Sequence, residues 1–379
     1  MTEKARNLTT AALLSILCFG VGLTIVGPLL SVIANEYDFP IRYSGVIFSS
    51  NFFGFILFNI TFALYLTHID LRKILVIILF AYSLCLAAFT QANSFPAVLV
   101  LMFLIGGLGG LIESTSSVLI VKLNRGREGY YLNLSQVFFG IGAIIGPLGS
   151  GYMEQAAIVW QNMFVLVAVL SAISGAIFLF FRMEVKGSEE KLKYKDFMVL
   201  TGNKKLLILM VCMMLYTGAE IGMWGWISTL LKNSYAALPM EAGFAVALFW
   251  VFMTVGRYIT AKLTNSITLK RIILILSIGA TASTLVLAIW NSERLLWIMI
   301  PFIGLFLSGI WPTIVALSGD ITGKHSGPAA YMVIASGALG GMVFPYIIGF
   351  FGQGSSVMIS LGIIALMSAA IFGLIKVYV

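Results

Sequence analysis

Apolar residues run through this chain in long unbroken stretches, and short polar stretches punctuate them. A helix needs about 20 apolar residues to cross the hydrocarbon core of a bilayer. On that measure the pattern predicts twelve spans, near residues 8–34, 43–66, 73–92, 96–121, 129–152, 158–181, 205–231, 240–263, 270–290, 294–319, 327–350 and 355–378. The long polar stretch 182–205 falls at the middle and reads as a cytoplasmic linker. It divides the chain into an N-terminal six-helix bundle, 1–181, and a C-terminal one, 206–379. The expected fold is therefore an all-α membrane protein in two bundles.

The bundles echo each other. FLIGGLGGLI at 103–112, followed by GIGAIIGPLGSGY at 140–152, recurs in form as FIGLFLSGI at 302–310 followed by GALGGMVFPYIIGF at 337–350. DLRKILVIIL at 70–79 likewise echoes TLKRIILIL at 268–276. Two parallel six-helix repeats joined by a basic central loop resemble the major facilitator architecture, in which substrate binds between the halves near the midplane.

Composition agrees: 60% of residues are hydrophobic, 10% are charged, and mean hydropathy is +1.02, whereas soluble domains carry about 25% charged residues. A net charge of +8 raises nucleic acid as a partner, but the cations are sorted by side. With both termini cytoplasmic, 19 of the 23 lysines and arginines fall on the cytoplasmic side and 3 on the other. That is the bias of a multi-pass cell-membrane protein whose surroundings are lipid rather than nucleic acid. The apolar run from Leu8 is too long for a cleaved signal and lacks a small-residue cleavage site, so the first span is expected to be retained. The three cysteines fall inside spans with neither metal nor disulfide spacing. There is no nucleophile–base pair, metal cluster or phosphate loop, so neither an enzyme, a metal nor a cofactor is expected.

Of fifteen acidic residues, only Glu113 in span 4 and Glu220 in span 7 lie well within the membrane. An ion at that depth costs at least about 2.5 kcal/mol and normally faces a cavity or a partner. Glu113 reads as a proton acceptor or substrate ligand, or else as a carboxyl hydrogen-bonded between helices. On span 5, Gln136 shares a face with Asn133 and Gly140. Its amide suits a hydroxylated ligand or helix–helix contact. Gly142, Gly146 and Pro147 on the same span read as packing and gating positions. Tyr216, Glu220 and Trp224 recur every four residues along span 7. A carboxylate between aromatic rings suits a sugar, although an interfacial aromatic belt accounts for the tryptophan equally well. Arg257, the one cation inside a span, either reaches toward water or pairs with a carboxylate, and a structural or gating role is favoured. Trp311 and Pro312 are expected to break span 10 in mid-membrane.

GGLGGLIESTSS, LNLSQVFFGIGAIIGPL, YTGAEIGMWGWIST, ALFWVFMTVGRYI and GIWPTIVAL, in that order and spacing, resemble the fucose–proton symporter and sodium-dependent glucose transporter group of the major facilitator superfamily, over the whole length. The resemblance implies a sugar substrate and cation coupling. Under it, Glu113 matches the span-4 carboxylate that links protonation to sugar binding, and Gln136 matches a sugar-contacting amide. Two positions depart from the pattern. Thr24 stands where the group carries an acid in span 1, and Phe139 replaces an asparagine in span 5, which points away from fucose itself.

The function expected is alternating-access symport of a neutral monosaccharide with a proton or sodium ion, by a monomer. Gln136, Asn133, Tyr216, Glu220, Trp224, Trp311, Thr24 and Phe139 are the residues expected to line the sugar site, and Glu113 takes up the cation. The rival expectation is a proton-coupled exporter of amphipathic compounds, which Phe139 favours.

Overall fold

A computed structural model describes residues 3–65, 70–125, 127–181, 185, 200–290, 292–351 and 357–379. All of its regular structure there is helical. With no water at bilayer depth, a helix satisfies its own backbone, and twelve stretches are long and apolar enough to span. The linker read at 182–205 lies outside the described residues except for 185 and 200–205.

The chain divides by its contacts into two units. Residues 1–39 and 50–191 form the first, and 40–49 with 192–379 the second. This division differs from one made at the linker alone in giving the segment 40–49 to the second unit. The segment holds the short 3-10 turn Ile41–Tyr43 and the first residues of helix α3 (Gly45–Tyr65). Ser49 Oγ donates to the Met342 carbonyl at 2.5 Å, and a Cβ on Gly45 would lie 2.5 Å from the Pro345 carbonyl.

The first unit contains α1 (Glu3–Thr24), α2 (Val26–Glu36), the rest of α3, α4 (Leu71–Phe89), α5 (Phe95–Leu123), α6 (Glu128–Gln155) and α7 (Gln161–Phe180). Helix α1 packs along α6 and α5, and α4 packs along α5 and α7. Asp70 caps α4: its Oδ1 accepts from the Arg72 N–H at 3.1 Å and from the Val185 N–H at 3.3 Å. The Leu71 N–H donates to the Val185 carbonyl at 2.9 Å, so the start of the linker is strapped to the start of α4.

The second unit contains α8 (Lys204–Tyr235), α9 (Pro239–Leu263), α10 (Leu269–Trp290), α11 (Glu293–Leu307), α12 (Ile310–Thr322), α13 (Ser326–Phe351) and α14 (Val357–Tyr378). Helix α8 packs along α13 and α14, α9 along α11, and α10 along α14.

The echoed glycine stretches do the same work in each unit. A Cβ on Gly142 would run into the Leu17 carbonyl and lie 2.9 Å from the Val21 nitrogen, so α6 touches the backbone of α1. A Cβ on Gly340 would run into the Met214 carbonyl, so α13 touches the backbone of α8. Bulk at either position would force the helices apart.

Two of the expected spans are interrupted. The break at Ser308–Gly309 divides span 10 into α11 and α12, just before Trp311 and Pro312. The break at Ile25 divides span 1, which the sequence reading takes as continuous. Both have one cause. Pro28 and Pro312 stand third in α2 and α12, where a missing N–H costs least, and each lacks the donor for the carbonyl four residues earlier, Thr24 or Ser308. Those two residues carry hydroxyls that bond back into the preceding turn, Thr24 to Gly20 at 2.8 Å and Ser308 to Leu305 at 2.6 Å. Pro147, Pro301 and Pro345 remain inside single helices; the residues four before them are Ala143, Trp297 and Gly341.

Candidate functional site

The first unit presents an acid and an amide on α5 and α6. Glu113 is half-buried, at a depth where a charged carboxyl facing lipid would be costly. Beside it, Thr115 and Ser116 are fully buried, and their hydroxyls lack a hydrogen-bond partner. Ser114 turns back to its own helix, donating to the Leu111 carbonyl at 3.4 Å. Gln136 on α6 is half-buried. Asn133 lies one turn earlier, and its side chain falls outside the described ones.

The remaining first-unit candidates sit in the seam between α1 and α6. Thr24 is fully buried with its hydroxyl committed to the Gly20 carbonyl. It also lines the seam: its Oγ1 would be 2.6 Å from a Cβ on Gly146. Phe139 is buried, its ring 5.8 Å from that of Phe19 and its carbonyl 2.5 Å from where a Gly20 Cβ would be. Pro147 is buried one residue beyond Gly146. These residues pack helices against each other, whereas Glu113 and Gln136 are only half-buried.

The second unit holds a denser cluster. Tyr216, Glu220 and Trp224 form one buried stripe on α8. Arg257 on α9 faces it, with Nη2 3.8 Å from Glu220 Oε1. The α9 geometry explains the direction. Helical Cα–Cβ bonds lean toward the N-terminus, so Arg257 reaches back into the span rather than out over its nearer end. Its guanidinium carbon lies 5.9 Å from the ring centre of Trp250, two turns earlier on the same face. Trp250 in turn lies 6.2 Å from Trp224, and Phe48 meets Trp224 edge-on at 5.5 Å. The Tyr216 hydroxyl is sealed from solvent and interacts with both charges without reaching hydrogen-bond geometry. Trp311 stands half-buried at the second position of α12, beside the break.

Trp250 and Phe48 escape a reading of the sequence. The spacing of Trp250 and Arg257, seven apart on one helix face, is the signal that could have flagged the first. Nothing in the chain flags Phe48, because its partner is 176 positions away. Among the described residues no group of three or more His, Cys, Asp or Glu side chains is placed to hold a metal ion.

Among the described residues twelve stretches are long and apolar enough to cross a membrane, in two echoing units, and they define the class as a multi-pass membrane protein. Residues 12–268 match the family model of the Major Facilitator Superfamily, and the chain belongs to that superfamily. A TsgA homolog from Buchnera aphidicola subsp. Schizaphis graminum is 23% identical over 345 residues, covering 88% of this chain and 86% of the relative. In fold the chain is similar to a D-xylose–proton symporter (TM-score 0.81, 13% identity, 97% and 96% covered). It is also similar to the transporter FucP in an outward conformation (TM-score 0.68, 17% identity, 97% of each chain covered).

Proposed function

We propose that this superfamily member is a secondary active carrier that takes up a monosaccharide together with a proton or a sodium ion, by alternating access. The observation that carries the proposal is Glu113: a carboxyl within span 4, half-buried and beside two buried hydroxyls that lack partners. A charged carboxyl at bilayer depth costs at least about 2.5 kcal/mol. A cation taken up at Glu113 removes that charge, so the loaded carrier reorients more readily than the empty one, and the ion gradient is thereby linked to sugar movement. Gln136 and Asn133 would hydrogen-bond sugar hydroxyls; Tyr216, Glu220, Trp224 and Trp311 would supply ring faces and polar groups. The fold neighbours named for proton symport of xylose and fucose support a sugar as cargo. The 19-to-3 distribution of cations supports cytoplasmic termini in the cell membrane.

The test is uptake by proteoliposomes offered a panel of labelled monosaccharides, with proton and sodium gradients imposed separately. We expect at least one sugar to accumulate under one of the two gradients and to leak out when an ionophore collapses it. Equal, non-concentrative entry of every sugar under both gradients would overturn the proposal.

A further inference from the structure

Arg257 is the only lysine or arginine well inside a span, and its guanidinium is poorly satisfied. A guanidinium offers five N–H donors in a planar fork that matches two oxygens of one oxyanion. Here its acidic contact among the described residues is a single one, Nη2 to Glu220 Oε1 at 3.8 Å, longer than a hydrogen bond. A pair serving only to neutralise two buried charges would close to about 2.7–2.9 Å and engage both fork nitrogens. The Tyr216 hydroxyl, fully buried and turned toward the pair, also lacks a hydrogen-bond acceptor. The guanidinium carbon lies over the Trp250 ring, 5.9 Å from its centre. The Arg257 side chain keeps 23% of its surface accessible and that of Glu220 keeps 11%.

Three polar groups thus converge without satisfying one another, on a cation held in place by a ring. A planar monoanion completes the set, with two oxygens for the fork, one of them also accepting from Tyr216. A neutral sugar hydroxyl supplies neither the charge nor the paired oxygens. A phosphate brings up to two charges to a place where Arg257 and Glu220 already cancel. We infer that the cargo is an acidic monosaccharide, a uronate or aldonate, whose carboxylate docks on Arg257 while Glu220 acts as its resident stand-in when the site is empty. This rests on the reading of the chain as a sugar carrier and parts from the neutral sugar expected from the sequence.

The test uses purified full-length protein in detergent and in proteoliposomes, probed with D-glucuronate, D-gluconate, D-glucose, L-fucose and glucose 6-phosphate. At least one of the two acids is expected to raise the melting temperature and to be taken up, with apparent affinity at least about tenfold above the neutral sugars and the phosphate. Arg257→Lys keeps the charge but loses the fork, and is expected to weaken acid binding about tenfold. Glu220→Gln removes the stand-in and is expected to tighten acid binding. Uptake of a neutral sugar without either acid would overturn the inference and leave the carrier proposal intact. Absence of binding and uptake for every sugar, acidic or neutral, would overturn the carrier proposal itself. Acid selectivity unchanged in Arg257→Lys would place the docking elsewhere and sink the inference. If either variant fails to fold, the selectivity of the unaltered protein still decides the matter.

Discussion

Replacing Arg257 with leucine leaves Glu220 without its counter-charge inside the membrane, and replacing Glu220 with leucine strands the guanidinium. Replacing both leaves neither. Across 3.8 Å the attraction between two unit charges is about 4 kcal/mol at an effective dielectric of about 20. A lone ion at mid-span costs about 2.5–3.5 kcal/mol. The accessible 23% of Arg257 and 11% of Glu220 lets solvent screen part of this, so a coupling energy of about 2–3 kcal/mol is expected. The two single changes should also differ. A carboxyl can shed its charge by taking a proton, whereas a guanidinium cannot, so Glu220→Leu should damage the fold more than Arg257→Leu. The assay is a double-mutant cycle by unfolding in mixed detergent–SDS micelles, followed by tryptophan fluorescence. The double variant should be more stable than Glu220→Leu alone. Single effects that add to the double within about 0.5 kcal/mol would refute the reasoning and reduce the 3.8 Å approach to mere proximity.

Three further outcomes follow from the packing. Gly142→Ala forces a methyl group onto the backbone of α1 and should cost about 1–3 kcal/mol, read as a lower melting temperature. Gly362→Ala, where a Cβ meets nothing within 4 Å, should be neutral or stabilising by up to about 1 kcal/mol in the same assay. Thr24→Val should change transport rates by no more than about twofold, because the hydroxyl is already spent on the Gly20 carbonyl; loss of uptake would show that it serves substrate instead. Gln136→Ala should raise the apparent KM about tenfold, the loss of one hydrogen bond worth about 1.4 kcal/mol, with little change in melting temperature.

The spans were legible in the sequence because a bilayer imposes a length and a polarity on each, and both can be counted along the chain. The break in span 10 was legible from Pro312. The break in span 1 was not, because a single proline, Pro28, sits in an apolar run long enough to hide it; what marks both breaks is a hydroxyl residue four positions earlier. The stripe Tyr216, Glu220 and Trp224 was legible from helical spacing. Its pairing with Arg257 was not, since 37 positions and a turn separate the two charges, and the choice between Glu113 and Glu220 as partner depends on which helices touch. Grouping of residues 40–49 with the second unit depends likewise on contacts of high sequence separation, Phe48 with Trp224 and Ser49 with Met342, to which a hydrophobic pattern is blind.

The proposed coupling stands most directly on Glu113, and Glu113→Gln separates its two halves. In proteoliposomes this variant keeps an amide of nearly the same shape but carries no charge to neutralise. It should lose gradient-driven accumulation of the transported sugar while retaining exchange of labelled for unlabelled sugar across the membrane. Accumulation at the level of the unaltered protein would show that the coupling cation binds elsewhere and would contradict the account.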